Sequence, residues 1–142
     1  MLQVRADAVT ESGAMPSAEL IAAMGRFNEE MIAAGIMLAA DGLHPSAKGA
    51  RIVFSATGSS VVDGPFADPK ELIAGFWMIE VPSKAEAVAW ARRAPFEPGA
   101  VVEIRQVFEP ADFPADILPP NAAAREQAWR DEQHDKTRPR PA

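Results

Sequence analysis

The stretch Val61-Val62-Asp63-Gly64-Pro65-Phe66-Ala67-Asp68-Pro69-Lys70-Glu71-Leu72-Ile73-Ala74-Gly75-Phe76-Trp77-Met78-Ile79-Glu80-Val81 decides the fold. It joins a sharp turn, a charged cluster and a strongly apolar strand. Asp63-Gly64-Pro65 is turn chemistry. Asp bonds nearby backbone, Gly accepts unusual φ, and Pro fixes φ. Phe66 supplies a large apolar anchor straight after the turn. From Gly75 to Val81 the residues are aromatic and β-branched, the composition of a buried strand.

Working outward toward the N-terminus, residues 1–6 alternate apolar and polar and predict a short strand. Residues 7–16, with Gly13 and Pro16, predict a loop. Ser17 then reads as an N-cap, with Glu19 in the first turn where the helix dipole favours an anion. Leu20, Met24, Phe27 and Met31 follow at helical spacing, and Ile21 and Ile32 widen the stripe. Gly35 ends that helix as its C′ residue. Residues 36–40 predict a second strand, and the segment from Asp41 to Ser46 leaves it. Residues 51–55 alternate again, with Ile52 and Phe54 on one face. Thr57-Gly58-Ser59 predicts a hairpin turn back into Val61 and Val62.

Outward in the other direction, Ser83 and Glu86 carry the S-x-x-E capping signature of a second helix over residues 84–94. Ala87, Val88, Trp90 and Ala91 form its apolar side, and residues 95–99 break it. Residues 101–108 predict a last strand, with Val102, Ile104 and Phe108 on one side and Glu103 and Arg105 on the other. The two charged side chains predict an ion pair. Beyond Glu109, four prolines punctuate an irregular segment. Asn121 predicts a cap for a helix over residues 122–135 that carries Trp129, and residues 136–142 predict a disordered end.

The totals bound the class. A chain of 142 residues suits a single domain, and 48% apolar residues suffice for an ordinary soluble core. The absence of cysteine excludes disulfides, thiol catalysis and thiolate metal sites. A net charge of −6 argues against nucleic acid as a direct partner. No apolar run approaches the ~20 residues of a membrane span. The start lacks a positive-then-apolar leader, so a cytoplasmic protein without a membrane partner is expected.

The order strand, helix, strand, hairpin, strand, helix, strand is two βαβ units: an α+β, ferredoxin-like split βαβ fold with an inserted hairpin and an extra C-terminal helix. Right-handed crossovers put both helices on one face of the sheet. The strand after the turn is apolar on both faces, Phe76 and Met78 on one, Trp77, Ile79 and Val81 on the other. The second face therefore requires a cover, and a homodimer packed sheet to sheet is expected.

Asp63-Gly64-Pro65-Phe66 with Lys70-Glu71, followed by Gly75-Phe76-Trp77, resembles the DGPF subgroup of YCII-related proteins. Phe27-Asn28-Glu29-Glu30, Gly42-Leu43-His44-Pro45-Ser46 and Glu103-Ile104-Arg105-Gln106-Val107 extend the likeness in family order. It covers residues 1–113, and residues 114–142 form a Pro-rich linker, helix and tail outside it. The resemblance implies a ferredoxin-like fold of the dimeric α+β barrel type and a site around His44 and Asp63. Some relatives accompany alternative sigma factors, and a related branch acts on chlorinated lactones.

His44 follows a strand, and Asp63 ends another. A carboxylate beside an imidazole raises its pKa and leaves the second nitrogen as acid or base near neutrality. That chemistry suits proton abstraction next to a carbonyl, or elimination. The structural reading is that Asp63 closes an Asx turn and His44 bonds a local carbonyl. Asp41, Phe66, Lys70 and Trp77 are the candidate ligand-binding residues. Against that role, Asp41 also reads as a turn residue, Lys70 with Glu71 as a capped helical turn, and Phe66 and Trp77 as core. No histidine or carboxylate spacing points to a metal. No Gly-rich phosphate loop or G-x-S-x-G elbow points to a nucleotide cofactor or serine hydrolysis. Two functions remain open: a cofactor-independent enzyme acting on a small organic molecule through His44 and Asp63, or a non-catalytic ligand-binding or accessory protein linked to transcriptional regulation.

Overall fold

A computed structural model describes residues 1–137. The chain divides into two units, one covering Met1–Arg105 and a second beginning at Gln106. The first holds strand β1 (Leu2–Arg5), helix α1 (Ala8–Glu11), α2 (Ala18–Ala33), β2 (Met37–Gly42), β3 (Ala50–Ser55), β4 (Gly58–Asp63), β5 (Ile73–Ile79), α3 (Lys84–Ala91) and β6 (Val102–Ile104). Short 3-10 turns occupy Ser46–Lys48 and Pro69–Glu71.

Four strands form one antiparallel sheet in the order β2-β5-β1-β6, and β3 pairs with β4 as a separate two-stranded hairpin. The later βαβ unit thus sends β5 between β2 and β1, an order compatible with a ferredoxin-like α+β fold. The register places Leu2 opposite both Trp77 and Ile104, with Ala40 opposite Trp77 on the other side. Side chains in register share a face, so these four line the side that the helices cover.

The core follows from that register. Leu2, Phe27, Met31 and Trp77 form its buried cluster, and Met24, Trp90, Ala91 and Phe96 pack against it. The Phe27 and Phe96 rings meet the Trp77 indole edge to face at 5.6 and 6.1 Å. Full burial of side chains this size stabilises by roughly 1.5–3 kcal/mol each. The indole N–H donates to Asn28 Oδ1 at 2.8 Å, so the one polar atom of Trp77 enters the core with a partner. Ile21 and Ile32, expected to widen the buried stripe of α2, are exposed. The sheet meets only the narrower band centred on Phe27 and Met31.

The opposite face is of mixed character. Phe76 and Met78 are half-buried on it. Gln3 stands opposite Glu103, which pairs with Arg105 at 3.1 Å and with Arg5 at 3.7 Å. Its large apolar side chains therefore come from β5, the strand expected to be apolar on both faces.

Several element boundaries depart from expectation for local reasons. Residues 7–16 are not a plain loop: Asp7 caps α1 in a capping box with Thr10. β2 runs on to Gly42 because β5 offers partners as far as Gly75, so Asp41 is a strand residue opposite Phe76. β6 stops at Ile104 because β1 has no residues left to pair beyond Leu2; the Arg105 N–H makes a last bond to the Met1 carbonyl. α3 ends at Ala91, and Ser83 supplies only its own half of the expected reciprocal cap, accepting from the Glu86 N–H.

In the second unit a 3-10 turn spans Pro110–Asp112, and Phe108, expected in the last strand, lies against Phe113 at 5.3 Å. Helix α4 spans Pro120–Thr137, so its last turn takes in residues 136 and 137, which were expected to be disordered. The rest of that expected tail, residues 138–142, lies outside the described residues. No helix among the described residues is long and apolar enough to cross a membrane.

Candidate functional site

The central turn is held by the loop after β2. Gly64 donates its N–H to the Gly49 carbonyl at 3.0 Å, and the Phe66 N–H donates to the Ser46 hydroxyl oxygen at 3.0 Å. That hydroxyl donates in turn to the Glu11 carboxylate, which also accepts the Ser46 N–H at 3.1 and 3.2 Å. Glu11 of α1, Ser46 after β2 and Phe66 after β4 are thus one chain of hydrogen bonds. The Asp63-Gly64-Pro65-Phe66 and Gly42-Leu43-His44-Pro45-Ser46 segments meet in it. The Gly64–Pro65 peptide is cis.

Beside this junction lies a groove of about 360 Å³ lined by Glu11, Leu43, His44, Ser46, Arg51, Glu71, Leu72 and Ile73. β2 aims the chain at it, since the Leu43 N–H continues the ladder onto the Ala74 carbonyl at 2.8 Å. The His44 side chain makes no hydrogen bond or ion pair with any described residue. Arg51 lies over the Phe66 ring, its guanidinium carbon 4.0 Å from the centroid, and faces Glu71 at 3.7 Å. Glu71 and Lys70 belong to the 3-10 turn, capped by Asp68 through the Lys70 N–H at 2.9 Å. Arg5 anchors the same turn by donating to the Lys70 carbonyl.

A second groove, about 480 Å³, lies between α3 and β6. Its charged lining residues are Arg92 and Glu97, and no histidine lines it. The smaller groove, with its imidazole, is the better candidate.

The expected site residues separate into three places. His44 lines the groove, and Phe66 supports it through Arg51. Asp63 ends β4 opposite Ala50, on the hairpin face of Ile52, Phe54 and Val61, while Arg51 and Val62 occupy the other. Asp63 does not line the groove, and no hydrogen bond joins it to His44. Asp41 is exposed opposite Phe76, Lys70 is exposed on its turn, and Trp77 is buried in the core under the helices. Among the described residues, no group of three His, Cys, Asp or Glu side chains stands close enough to hold a metal ion.

Arg51 and Glu11 were not legible as site residues, whereas Glu71, read with Lys70 as a ligand-steering pair or a capped helical turn, lines the groove from that turn. The one available signal for Arg51 was its place at the head of an alternating strand, opposite in phase to Ile52. Nothing in the sequence links Glu11 to Ser46, which is thirty-five residues away.

Fold and groove define a small α+β domain whose two sequence motifs build one polar junction beside a cleft. The chain belongs to the YCII-related family: the family model for the YCII-related domain matches residues 1–111. Among curated proteins, none matches the chain significantly.

Proposed function

We propose that this YCII-related protein binds a small organic molecule in the His44 groove and acts on it as a cofactor-independent enzyme. The observation that carries this reading is the His44 imidazole, exposed at a cleft and engaged by no group among the described residues. A neutral imidazole is the side chain best suited to move a proton near pH 7. Asp63, on the Ile52 face of the hairpin and outside the groove lining, does not orient it. Leu43, Leu72 and Ile73 give the ligand an apolar wall.

The reading includes a cytoplasmic homodimer. What supports the dimer is the hairpin, whose residues are all exposed and whose Ile52, Phe54 and Val61 share a face. The same hairpin favours a second reading, a non-catalytic accessory protein that presents this surface to a protein partner such as a transcription regulator.

A metabolite screen by thermal shift tests the first reading, comparing wild type with His44→Ala. A ligand that stabilises wild type, loses its effect in His44→Ala and is converted without added metal or cofactor supports it. A ligand bound equally well by His44→Ala removes the histidine from the site.

A further inference from the structure

Arg51 is the one arginine or lysine among the described residues that line the groove. Its guanidinium donates no hydrogen bond to any described residue, and its approach to Glu71, 3.7 Å, is too long for one. The pair is also open to water, with side-chain exposures of 44% and 66%. An exposed ion pair this loose is worth little, so exchanging one carboxylate for another costs little. The guanidinium is nevertheless positioned, because its carbon lies 4.0 Å over the centroid of the Phe66 ring, a contact that uses none of its N–H donors.

The other acid of the groove, Glu11, does not compete. Both of its oxygens accept from Ser46. The cleft therefore presents one underused guanidinium, one displaceable carboxylate, one unengaged imidazole and an apolar wall. With two carboxylates already present, a second negative charge on a ligand meets repulsion, whereas a single one replaces Glu71 at Arg51.

We propose that the ligand of this groove is a small organic monocarboxylate, its carboxylate held by Arg51 in exchange for Glu71 and its apolar body set against Leu43 and Ile73. The inference rests on the reading that the His44 groove is the ligand site. It adds to that reading the chemical class of the ligand and a specificity residue.

The test uses benzoate, benzamide and phenyl phosphate as probes of the full chain. Binding is read by the imidazole NMR signals of His44, assigned with His44→Gln, and by thermal shift. Benzoate is expected to move those signals at millimolar concentration, with benzamide and phenyl phosphate weaker. Arg51→Gln is expected to weaken benzoate roughly ten- to a hundredfold. Glu71→Gln is expected to tighten it about two- to fivefold by removing the competitor. Arg51→Lys, which keeps the charge without the fork, should retain part of the affinity and guards against a folding defect in Arg51→Gln.

Benzamide binding as well as benzoate, Arg51→Gln binding as wild type, or no response to benzoate each overturns the proposal. Tighter binding of phenyl phosphate overturns the single-charge assignment. Probes that move the His44 signals independently of Arg51 sink this inference alone. Probes that stabilise the protein without moving those signals sink the His44 groove as well.

Discussion

Gly64 lies directly on Ser46: a Cβ at position 64 would stand 1.8 Å from the Ser46 carbonyl oxygen and 2.6 Å from its carbonyl carbon. Both obstacles are backbone, so no side-chain rotation relieves the clash. Glycine is thus required by close approach of two chain segments. Gly64→Ala is expected to lose about 2–4 kcal/mol of stability, the upper range for overpacking. Urea denaturation of the variant measures the loss. A change under about 0.5 kcal/mol would mean that the two segments separate easily.

The Ser46 hydroxyl serves both neighbours, accepting from the Phe66 N–H and donating to Glu11. Ser46→Ala leaves a half-buried N–H and a carboxylate short of partners, a loss expected at about 1–3 kcal/mol. Glu11→Gln alone removes the charge-assisted part of the interaction. Because the two residues share one network, their double mutant should cost less than the sum, with a coupling of about 0.5–3 kcal/mol. Additive losses in the thermodynamic cycle would show that the network does not act as a unit.

What the sequence disclosed, and what it hid, divides along the range of the interactions. The helix at Ser17, its end at Gly35 and the hairpin around Gly58 rest on local caps and turns, and they fold where those residues stand. The strand around Trp77 was legible from composition, and the succession of strands and helices pointed to a ferredoxin-like arrangement, with which the order β2-β5-β1-β6 is compatible. The limits of β2 and β6 were not legible, because each strand ends where its partner ends and a register is a property of two segments. For the site, His44 and the central turn were legible because both lie in compact motifs. Their connection through Glu11, and the arrival of Arg51 from the hairpin, depend on contacts between distant segments. Asp63 was expected to face His44. The alternation of β4 turns its side chain to the Ile52 face instead.

Acid should loosen the site from its edge. Asp7 caps α1, and its carboxylate is held below the ordinary value of 3.8 first by the Thr10 N–H and then by the Thr10 hydroxyl. A folded pKa lower than the unfolded one contributes stability that is present above the unfolded value and disappears as pH falls through the folded value. The Asp7 contribution is therefore full near neutrality and is lost below about pH 4. Asp7→Asn keeps a side-chain cap but removes the titration. The stability gap between wild type and Asp7→Asn, followed by urea midpoints across this range, should narrow as the solution is acidified. A gap that stays constant would dissociate the cap from the acid response. Because α1 also carries Glu11, the Phe66 amide should gain hydrogen exchange over the same window.

The hairpin supplies the test of assembly. Two strands alone are marginally stable in water, yet every residue of β3 and β4 is exposed, with Phe54 83% and Val61 66% accessible. A hairpin face bearing Ile52, Phe54 and Val61 gains from a cover, and a second copy packed about a two-fold axis offers the same residues in return. Light scattering should then report twice the 15.2 kDa of the chain at micromolar concentration. Phe54→Glu places a charge where the apolar face would close, and it should shift the population toward single chains while leaving the core around Trp77 and its fluorescence unchanged. Dissociation would also bear on binding. If the benzoate response at His44 survives in monomeric Phe54→Glu, the groove is complete within one chain; if it vanishes with the dimer, the second copy forms part of the site. Wild type that scatters as a monomer throughout would refute the dimer, and a partner of another kind would have to cover the hairpin.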